Sequence, residues 1–354
     1  MTAPRLRVDD FDYDLPAEAI AQTPAEPRDS SRLLVLHRAA AGRLEHARFR
    51  DLGRWLRPGD LLVVNDSRVI PARLRGVRAG GGRAEILVLR PLDGEGEGEG
   101  WLALVRPSRR LRDGDVITLA DGSRVEVGER LDDGTREVRF DGDASAIMAA
   151  AGEMPLPPYI HDRSVPAERY QTVYARPPGS AAAPTAGLHF TPALLASLED
   201  RGVRHESVTL HVGLDTFRPL AGEFVDEHQI HREWYEIPPG AREAIRSARA
   251  AGGRIVAVGT TAVRVLETSA QADGTSGWTD LYIAPPHRFE IVDAMVTNFH
   301  LPRSSLLLLV TAFMQAGMAG ASPFEARDAV LGAYREALAK GYRFFSFGDA
   351  TLIV

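Results

Sequence analysis

Three histidines occupy short polar segments that follow apolar stretches of the 354-residue chain. His189 lies in Pro-Thr-Ala-Gly-Leu-His-Phe, His211 follows the apolar run Val-Thr-Leu, and His300 lies in Val-Thr-Asn-Phe-His-Leu-Pro. Histidine titrates near neutral pH, so each of these side chains is suited to general acid–base catalysis. Each segment alone also fits a structural turn or a hydrogen-bonded core histidine. Three histidines in comparable positions favour a single shared site.

Glycine and threonine residues near the histidines predict ligand binding. Gly187 permits close approach of a ligand to the backbone. Gly259, Thr260 and Thr261 stand between an apolar strand and a helix, and such a helix N-terminus binds phosphate or carboxylate. This turn lacks the full Gly-x-Gly-x-x-Gly fingerprint and is not a P-loop. A nucleotide-dependent dehydrogenase or an NTPase is therefore poorly supported.

His228 and His231 at first resemble a metal site, because a helix would place residues three apart on one face. No helical pattern surrounds them, and metal binding would need a third ligand. The segment fits equally a contact to polar substrate groups or a charged surface. The chain contains no cysteine, which excludes disulfides, thiolate zinc sites, iron–sulfur clusters and a cysteine nucleophile. We therefore predict no metal site.

The elements that must position these residues fall into two patterns. In the first and last parts of the chain, helices alternate with apolar strands such as Asp60–Asp66, which predicts an α/β domain with a largely parallel sheet. Ligands bind beyond the carboxyl ends of the strands in such sheets, where the polar segments lie. Between these parts, short strands separated by Gly, Asp and Pro predict a small β-barrel. We expect a three-layer α/β sandwich of residues 1–67 and 153–354, with an inserted β-barrel domain of residues 68–152.

Some individual elements follow from the same patterns. Pro16 before residues 17–21 predicts a short helix with proline at its first position. Residues 281–284 and 344–347 are predicted to continue the alternation of strands and helices. The Gly-Glu alternation of residues 93–100 predicts the tip of a hairpin.

The net charge of −6 argues against a strongly cationic nucleic-acid-binding protein. Residues 68–112 nevertheless carry ten arginines against five carboxylates. This local excess fits phosphate binding or a solvated arginine-rich face. The most apolar run, residues 306–314, is far too short to span a bilayer, and residues 1–14 lack an apolar signal core. We expect a cytoplasmic protein.

Nine segments, spread in order along the whole chain, resemble one family, the S-adenosylmethionine:tRNA ribosyltransferase-isomerases of queuosine biosynthesis. The segments are FDYDLP at 11–16, LVVNDSRVIPARL at 62–74, MPLPPYI at 154–160, YQTVY at 170–174, PTAGLHF at 184–190, VTLHVG at 208–213, VAVGTT at 256–261, VTNFHLP at 296–302 and YRFFSFGDA at 342–350. Each segment alone is weak evidence, but nine in register are very specific.

The resemblance implies transfer of the ribosyl part of S-adenosylmethionine to 7-aminomethyl-7-deazaguanine at the wobble position of tRNA. The ribose isomerises to an epoxycyclopentanediol, which gives epoxyqueuosine, and adenine and methionine leave. S-adenosylmethionine is then a co-substrate, and no metal or other cofactor is implied. The family fold, an α/β sandwich with an inserted β-barrel, agrees with the pattern above. We expect a monomer whose partners are S-adenosylmethionine and tRNA carrying that base, without membrane contact.

The implied chemistry needs acid–base groups, since a C5′ proton beside the sulfonium must be removed and adenine leaves more easily when protonated. The candidate catalytic residues are His189, His211 and His300, with His228 and His231 in second place. The candidate substrate-binding residues are Thr185, Gly187, Gly259, Thr260, Thr261 and Asn298. Tyr282 is the aromatic residue expected to face the sulfonium. The arginines expected to contact tRNA phosphates are Arg68, Arg73, Arg106, Arg109 and Arg110.

Two positions depart from the family pattern. Asp215 stands where a small residue is expected, and Ala284-Pro285-Pro286-His287 replaces a Tyr-Pro-Gly turn. Neither departure removes a candidate histidine. Two other classes of protein remain as alternatives. A non-catalytic tRNA-binding protein would keep the arginine-rich barrel without clustered histidines, and a methyltransferase would carry a glycine-rich strand–loop near an acidic residue, of which the chain shows no convincing case.

Overall fold

The computed structural model describes residues 5–40, 43–92, 100–131, 134–213, 220, 222–230, 232–271 and 274–354. The strands within these ranges are β1 (Arg32–His37), β2 (Arg43–Arg48), β3 (Leu61–Asn65), β4 (Arg68–Val69), β5 (Arg73–Arg78), β6 (Arg83–Pro91), β7 (Trp101–Arg106), β8 (Asp115–Leu119), β9 (Arg124–Arg130), β10 (Arg136–Phe140), β11 (Gly152–Glu153), β12 (Pro178–Ser180), β13 (Arg204–Leu210), β14 (Glu233–Glu236), β15 (Ile255–Val258), β16 (Ser276–Thr279), β17 (Ala294–Asn298) and β18 (Ala350–Ile353). The α-helices are α1 (Ala144–Ala151), α2 (Pro192–Glu199), α3 (Pro239–Ala250), α4 (Thr260–Gln271), α5 (Ser305–Gly317) and α6 (Pro323–Ala339).

A nine-stranded mixed sheet in the order β16-β14-β13-β3-β15-β17-β18-β1-β2 forms the main part of the molecule. Its centre, β13-β3-β15-β17, is parallel, as is the β18–β1 pair. The other pairs, including β17–β18, are antiparallel, so the prediction of a largely parallel sheet is right only for the centre. β18 runs antiparallel to β17 because two helices, α5 and α6, lie between them in the chain. A parallel crossover uses one helix, which returns the chain to the edge where the first strand began, whereas a second helix takes it back again.

Both faces of this sheet are covered, which confirms the predicted three layers. The strand β3 is buried along its whole length. Its alternate side chains enter different cores, with Leu61 and Val63 on one face and Leu62 and Val64 on the other. Helices α3 to α6 pack into the first core, while α2 and the 3-10 helix Phe49–Arg54 pack into the second.

The inserted barrel is also present. Six antiparallel strands run in the order β5-β6-β7-β10-β9-β8, and pairing of β5 with β8 closes the ring around its own apolar core. Closure depends on Gly76, because a Cβ there would lie 2.5 Å from the carbonyl oxygen of Thr118. The strand β4 pairs with β12 of the α/β part, so the barrel ladder itself starts at β5. The domain boundaries at residues 68 and 152 stay predictions.

Three local predictions need correction. Residues 281–284 form no strand, because the ladder at this edge is made by β16, a few residues earlier. Residues 344–347 form a turn in which only Phe344 makes an isolated bridge, and β18 follows it. Pro16 caps a 3-10 helix, Ala17–Ala19, instead of occupying its first turn. Residues 93–99 of the predicted hairpin tip at residues 93–100 lie outside the described residues. Across the described ranges, no helix has both the length and the apolar character that a membrane span requires.

Candidate active site

A cleft opens at the carboxyl ends of β15 and β17. The turn after β15, the end of β17 with the segment that follows it, and the 3-10 helix Thr185–His189 form its walls. Six of the nine predicted catalytic and substrate-binding residues line this cleft, namely Thr185, Gly259, Thr260, Thr261, Asn298 and His300. Polar segments that are distant in sequence thus meet where parallel strands end.

Asn298, the last residue of β17, joins the walls of the cleft. Its Oδ1 accepts a hydrogen bond from the Thr185 hydroxyl at 2.8 Å. Its Nδ2 donates to the carbonyl oxygen of Phe345 at 3.3 Å and contacts Nε2 of His189 at 3.1 Å. Phe345 has a φ of 68°, in the left-handed region that side chains other than glycine rarely adopt. The Asn298 amide therefore holds both the strained turn at Phe345 and the Thr185 hydroxyl of the cleft in place.

These contacts define the hydrogen-bonding state of His189. A carbonyl oxygen only accepts, so the amide nitrogen of Asn298 must face Phe345 and His189. Nε2 of His189 then accepts, and the proton of the neutral ring resides on Nδ1, which lies 2.8 Å from the Ser31 hydroxyl. His189 is 4% exposed and stacks on Phe49. Burial lowers the pKa of His189 to about 3. His189 thus supports Asn298 from behind and is not among the described residues that line the cleft.

His300 does line the cleft. Its Nε2 lies 2.9 Å from the Thr297 hydroxyl, and burial lowers the pKa of its imidazole to about 3. Two tyrosines hold its backbone. The Tyr334 hydroxyl oxygen accepts a hydrogen bond from the His300 N–H at 3.2 Å, and the Tyr13 hydroxyl donates one to the His300 carbonyl at 2.5 Å. The ring is therefore a fixed, neutral imidazole at neutral pH.

His211 takes a different position. It follows β13 directly, and its ring stacks on Trp234 with centroids 5.3 Å apart. A Cβ on Gly179 would lie 2.7 Å from this ring, so the backbone of Gly179 packs against it. Nδ1 is buried and has no hydrogen-bond partner among the described residues, and burial lowers the pKa of His211. The next residue, Val212, lines the cleft, but the His211 ring is not among the described lining groups.

Gly187 is a packing residue in this structure. A Cβ there would lie 2.1 Å from the Tyr174 hydroxyl oxygen and 2.8 Å from Cγ2 of Thr172. The absence of a side chain lets the 3-10 helix Thr185–His189 lie directly on Tyr174. The segment therefore combines close packing at Gly187 with exposure of Thr185 to the cleft.

The predicted phosphate-binding arginines fall into two groups. Arg106, Arg109 and Arg110 are exposed on the barrel, and none has a carboxylate partner among the described residues. Arg68 instead pairs with Glu168 at 2.5 Å. Arg73 is half-buried, its guanidinium lies 3.4 Å from the carbonyl oxygen of Leu156, and burial lowers its pKa.

Three other predictions concern residues away from the cleft. Tyr282 donates a hydrogen bond to the Val225 carbonyl at 3.0 Å and packs against His228, and it is not among the described residues lining the cleft. In the described part of the chain, no group of three or more His, Asp or Glu residues is arranged to hold a metal ion. His231 and Asp215 lie outside the described residues. In the segment of residues 284–287, which departs from the family pattern, the His287 ring packs against Phe289, with centroids 4.7 Å apart.

Several cleft residues had no individual signal in the sequence. Tyr159, Phe345 and Ser346 line it, and the Tyr159 hydroxyl lies 2.7 Å from Ser346 Oγ. These three residues belong to the segments MPLPPYI and YRFFSFGDA, so the family pattern contained them without distinguishing their roles. Ser31, which holds His189, lies outside all nine segments.

The chain is similar along nearly its whole length to proteins of one family. The family model described as "Queuosine biosynthesis protein" matches residues 8–353. A Moorella thermoacetica protein named S-adenosylmethionine:tRNA ribosyltransferase-isomerase is 52% identical, covering 99% of this chain and all of that protein. The Symbiobacterium thermophilum protein of the same name is 53% identical over 99% of this chain and all of its own length. The crystal structure of S-adenosylmethionine tRNA ribosyltransferase from Thermotoga maritima covers 98% of this chain and all of that one, with 41% identity and a TM-score of 0.55.

The fold and the cleft thus define an α/β enzyme with an inserted barrel and a site at the carboxyl edge of its sheet. The chain belongs to the queuosine biosynthesis protein family, whose members named above are S-adenosylmethionine:tRNA ribosyltransferase-isomerases.

The buried histidines predict a loss of stability in mild acid. The pKa of His189 and that of His300 are lowered to about 3, whereas an unfolded histidine titrates near 6.5. Between these values only the unfolded chain binds the proton, so this stability is complete above about pH 6.5 and falls as the pH drops towards 3. At about pH 5.5, each histidine should lower the free energy of unfolding by roughly 1 kcal/mol relative to neutral pH. Urea unfolding at pH 7.5 and 5.5 measures the difference.

The matched variants are His300→Gln and His161→Gln, since His161 is exposed. The difference in unfolding free energy between the two pH values should shrink in the first variant and stay unchanged in the second. An unchanged difference in His300→Gln would contradict the buried, neutral state of His300.

Gly187→Ala should destabilise the protein by roughly 1–3 kcal/mol, because its methyl group would overlap the Tyr174 hydroxyl. The control is Gly332→Ala in α6, where a Cβ meets nothing within 4 Å and the helix should become slightly more stable. Thermal unfolding of both variants checks this. Tyr174→Phe should restore part of the loss in Gly187→Ala, and equal stability of Gly187→Ala and the unaltered protein would refute the packing role.

Proposed function

We propose that this chain transfers and isomerises the ribosyl group of S-adenosylmethionine onto 7-aminomethyl-7-deazaguanine at the wobble position of tRNA, with release of adenine and methionine. The observation that carries the proposal is the cleft itself, which assembles residues from six of the nine family segments. Full-length similarity to proteins named for this activity supports it. S-adenosylmethionine acts as a co-substrate, and we propose no further cofactor.

His300 is the acid–base residue that the geometry favours. It lines the cleft, and its imidazole is neutral at neutral pH. The burial that lowers its pKa to about 3 also weakens it as a base, so its position in the cleft, and not its pKa, favours it. A neutral ring can accept the C5′ proton that the adjacent sulfonium acidifies, but it cannot supply a proton as an imidazolium. His189 has both ring nitrogens engaged by Ser31 and Asn298, so we assign it a positioning role. His211 adjoins the cleft through Val212 and remains a second candidate for proton transfer.

Aromatic rings of the cleft take the place expected of Tyr282 beside the sulfonium. Tyr159 and Phe345 both line the cleft, with ring centroids 4.8 Å apart. A sulfonium over such rings is stabilised by the negative potential of their faces. None of the described lining residues is Asp, Glu, Lys or Arg, so no described carboxylate there competes for the cation.

The barrel provides the proposed contact to tRNA. Exposed arginines without carboxylate partners neutralise phosphates and orient the nucleic acid without reading its sequence. Arg106, Arg109 and Arg110 fit this description, whereas Arg68 is paired and Arg73 is half-buried. The barrel is tied to the cleft through Arg73, which contacts Leu156, three residues before Tyr159.

Incubation with S-adenosylmethionine and tRNA bearing the aminomethyl base tests the reaction. We expect adenine and methionine as products. S-adenosylhomocysteine would indicate a methyltransferase, and tRNA binding without any turnover would indicate a non-catalytic protein. His300→Ala should lower kcat by about 10²- to 10⁴-fold, the usual contribution of general acid–base catalysis. His161→Ala, an exposed control, should keep normal turnover, and normal turnover of His300→Ala would exclude His300 as the proton acceptor.

Arg109→Ala combined with Arg110→Ala should weaken tRNA binding and flatten its dependence on salt, because two phosphate contacts are lost. Filter binding across a series of salt concentrations measures both effects. The control is Arg249→Ala, which removes an exposed arginine from α3. Unchanged salt dependence in the double variant would remove the barrel arginines from the interface.

A further inference from the structure

The N-terminus of α4 presents unused hydrogen-bond donors to the cleft. Gly259 has a φ of +90°, and its N–H donates to the Val296 carbonyl at 2.7 Å. The Val263 N–H donates to the Gly259 carbonyl at 3.2 Å. The three amides between them, at residues 260–262, lie in the first turn of a twelve-residue helix and have no intrahelical acceptor. The helix dipole adds positive potential at this point.

A side chain beside these amides independently indicates a ligand. Thr261 is only 9% exposed and lines the cleft. Its Oγ1 is buried and has no hydrogen-bond partner among the described residues. A buried hydroxyl without a partner is costly, so its persistence at the end of a cleft fits a group that is satisfied when a ligand is bound.

Thr185 has the opposite hydrogen-bonding character. Its hydroxyl proton is used in the bond to Oδ1 of Asn298, so the oxygen offers only lone pairs to a ligand. The chain Thr185–Asn298–His189–Ser31 maintains this polarity, because Nε2 of His189 holds the amide nitrogen of Asn298 away from Thr185. The neighbouring Cβ of Ala186 lies 3.6 Å from the position of a Cβ on Gly259. The acceptor and the helix N-terminus thus share one wall of the cleft.

We propose that this wall binds the α-amino-acid end of S-adenosylmethionine. The carboxylate lies at the N-terminus of α4 with the Thr261 hydroxyl, and the ammonium donates to Oγ1 of Thr185. Adjacent donor and acceptor groups match this zwitterion, whereas a phosphate would leave the Thr185 acceptor unmatched. The neutral lining also suits a group whose two charges cancel. This assignment rests on the proposed function and adds the orientation of the co-substrate.

The test compares S-adenosylmethionine with its decarboxylated analogue. Thr261→Val keeps the shape of the side chain and removes the hydroxyl. It should lower kcat/KM for S-adenosylmethionine about tenfold, the value of one hydrogen bond to a charged group, and leave the decarboxylated analogue unaffected. Thr185→Val should likewise lower kcat/KM for S-adenosylmethionine and leave the deaminated analogue unaffected. Thr118→Val on β8 is the control, and it should leave kcat/KM unchanged for S-adenosylmethionine and for both analogues.

Equal losses with both co-substrates in Thr261→Val would overturn the carboxylate assignment. Calorimetric titration of the same compounds into each variant separates this proposal from the proposed function, because binding needs no turnover. Selective loss of S-adenosylmethionine affinity in Thr261→Val supports the site even if no ribosyl transfer occurs. If Thr261→Val binds both compounds as the unaltered protein does, or loses affinity for both equally, the carboxylate site is refuted even if the enzyme is active.

Discussion

The bonds of the Asn298 amide are the contacts on which the rest of the cleft depends. The amide oxygen accepts a hydrogen bond from the Thr185 hydroxyl, and the amide nitrogen donates to His189 and to the carbonyl of Phe345. Three segments that are far apart in sequence are thereby fixed relative to the end of β17. Because Asn298 is 3% exposed, these bonds are shielded from water, and an unpaired group among them would be costly. The arrangement explains why an amide stands at a position where a carboxylate would repel the acceptors around it.

The sequence predicted the location of the site better than the roles of its residues. Apolar strands followed by polar turns identify a carboxyl edge of a sheet, and the turns after β15 and β17 do meet there. The pattern does not encode which way a ring turns, however. His189 and His300 occupy similar segments, yet one lies beneath Asn298 and the other lines the cleft. Gly187 illustrates the same limit, since flexibility for a ligand and close packing on Tyr174 both require glycine.

The fold was predictable to a comparable degree. Short punctuated strands indicated the barrel, and alternation of strands and helices indicated three layers, because both signals depend on local burial. The direction of β18 depends instead on how two successive helices return the chain, which no local pattern specifies. Likewise, the excess of arginines marked the barrel as basic, but the pairing of Arg68 with Glu168 joins residues a hundred positions apart and became visible only in three dimensions.

The place of β18 in the sheet has a consequence for synthesis of the protein on the ribosome. β18 lies between β17 and β1, so the hairpin β1–β2 has no parallel partner until residues 350–353 have emerged. At usual elongation rates, about 300 residues separate these events by roughly 15–60 s. During that time the edge of β1 is open to wrong partners, and the Phe345–Ser346 wall of the cleft does not exist. A nascent chain of this protein can therefore complete its sheet and its cleft only after β18 has emerged, although the centre of the sheet can pair earlier.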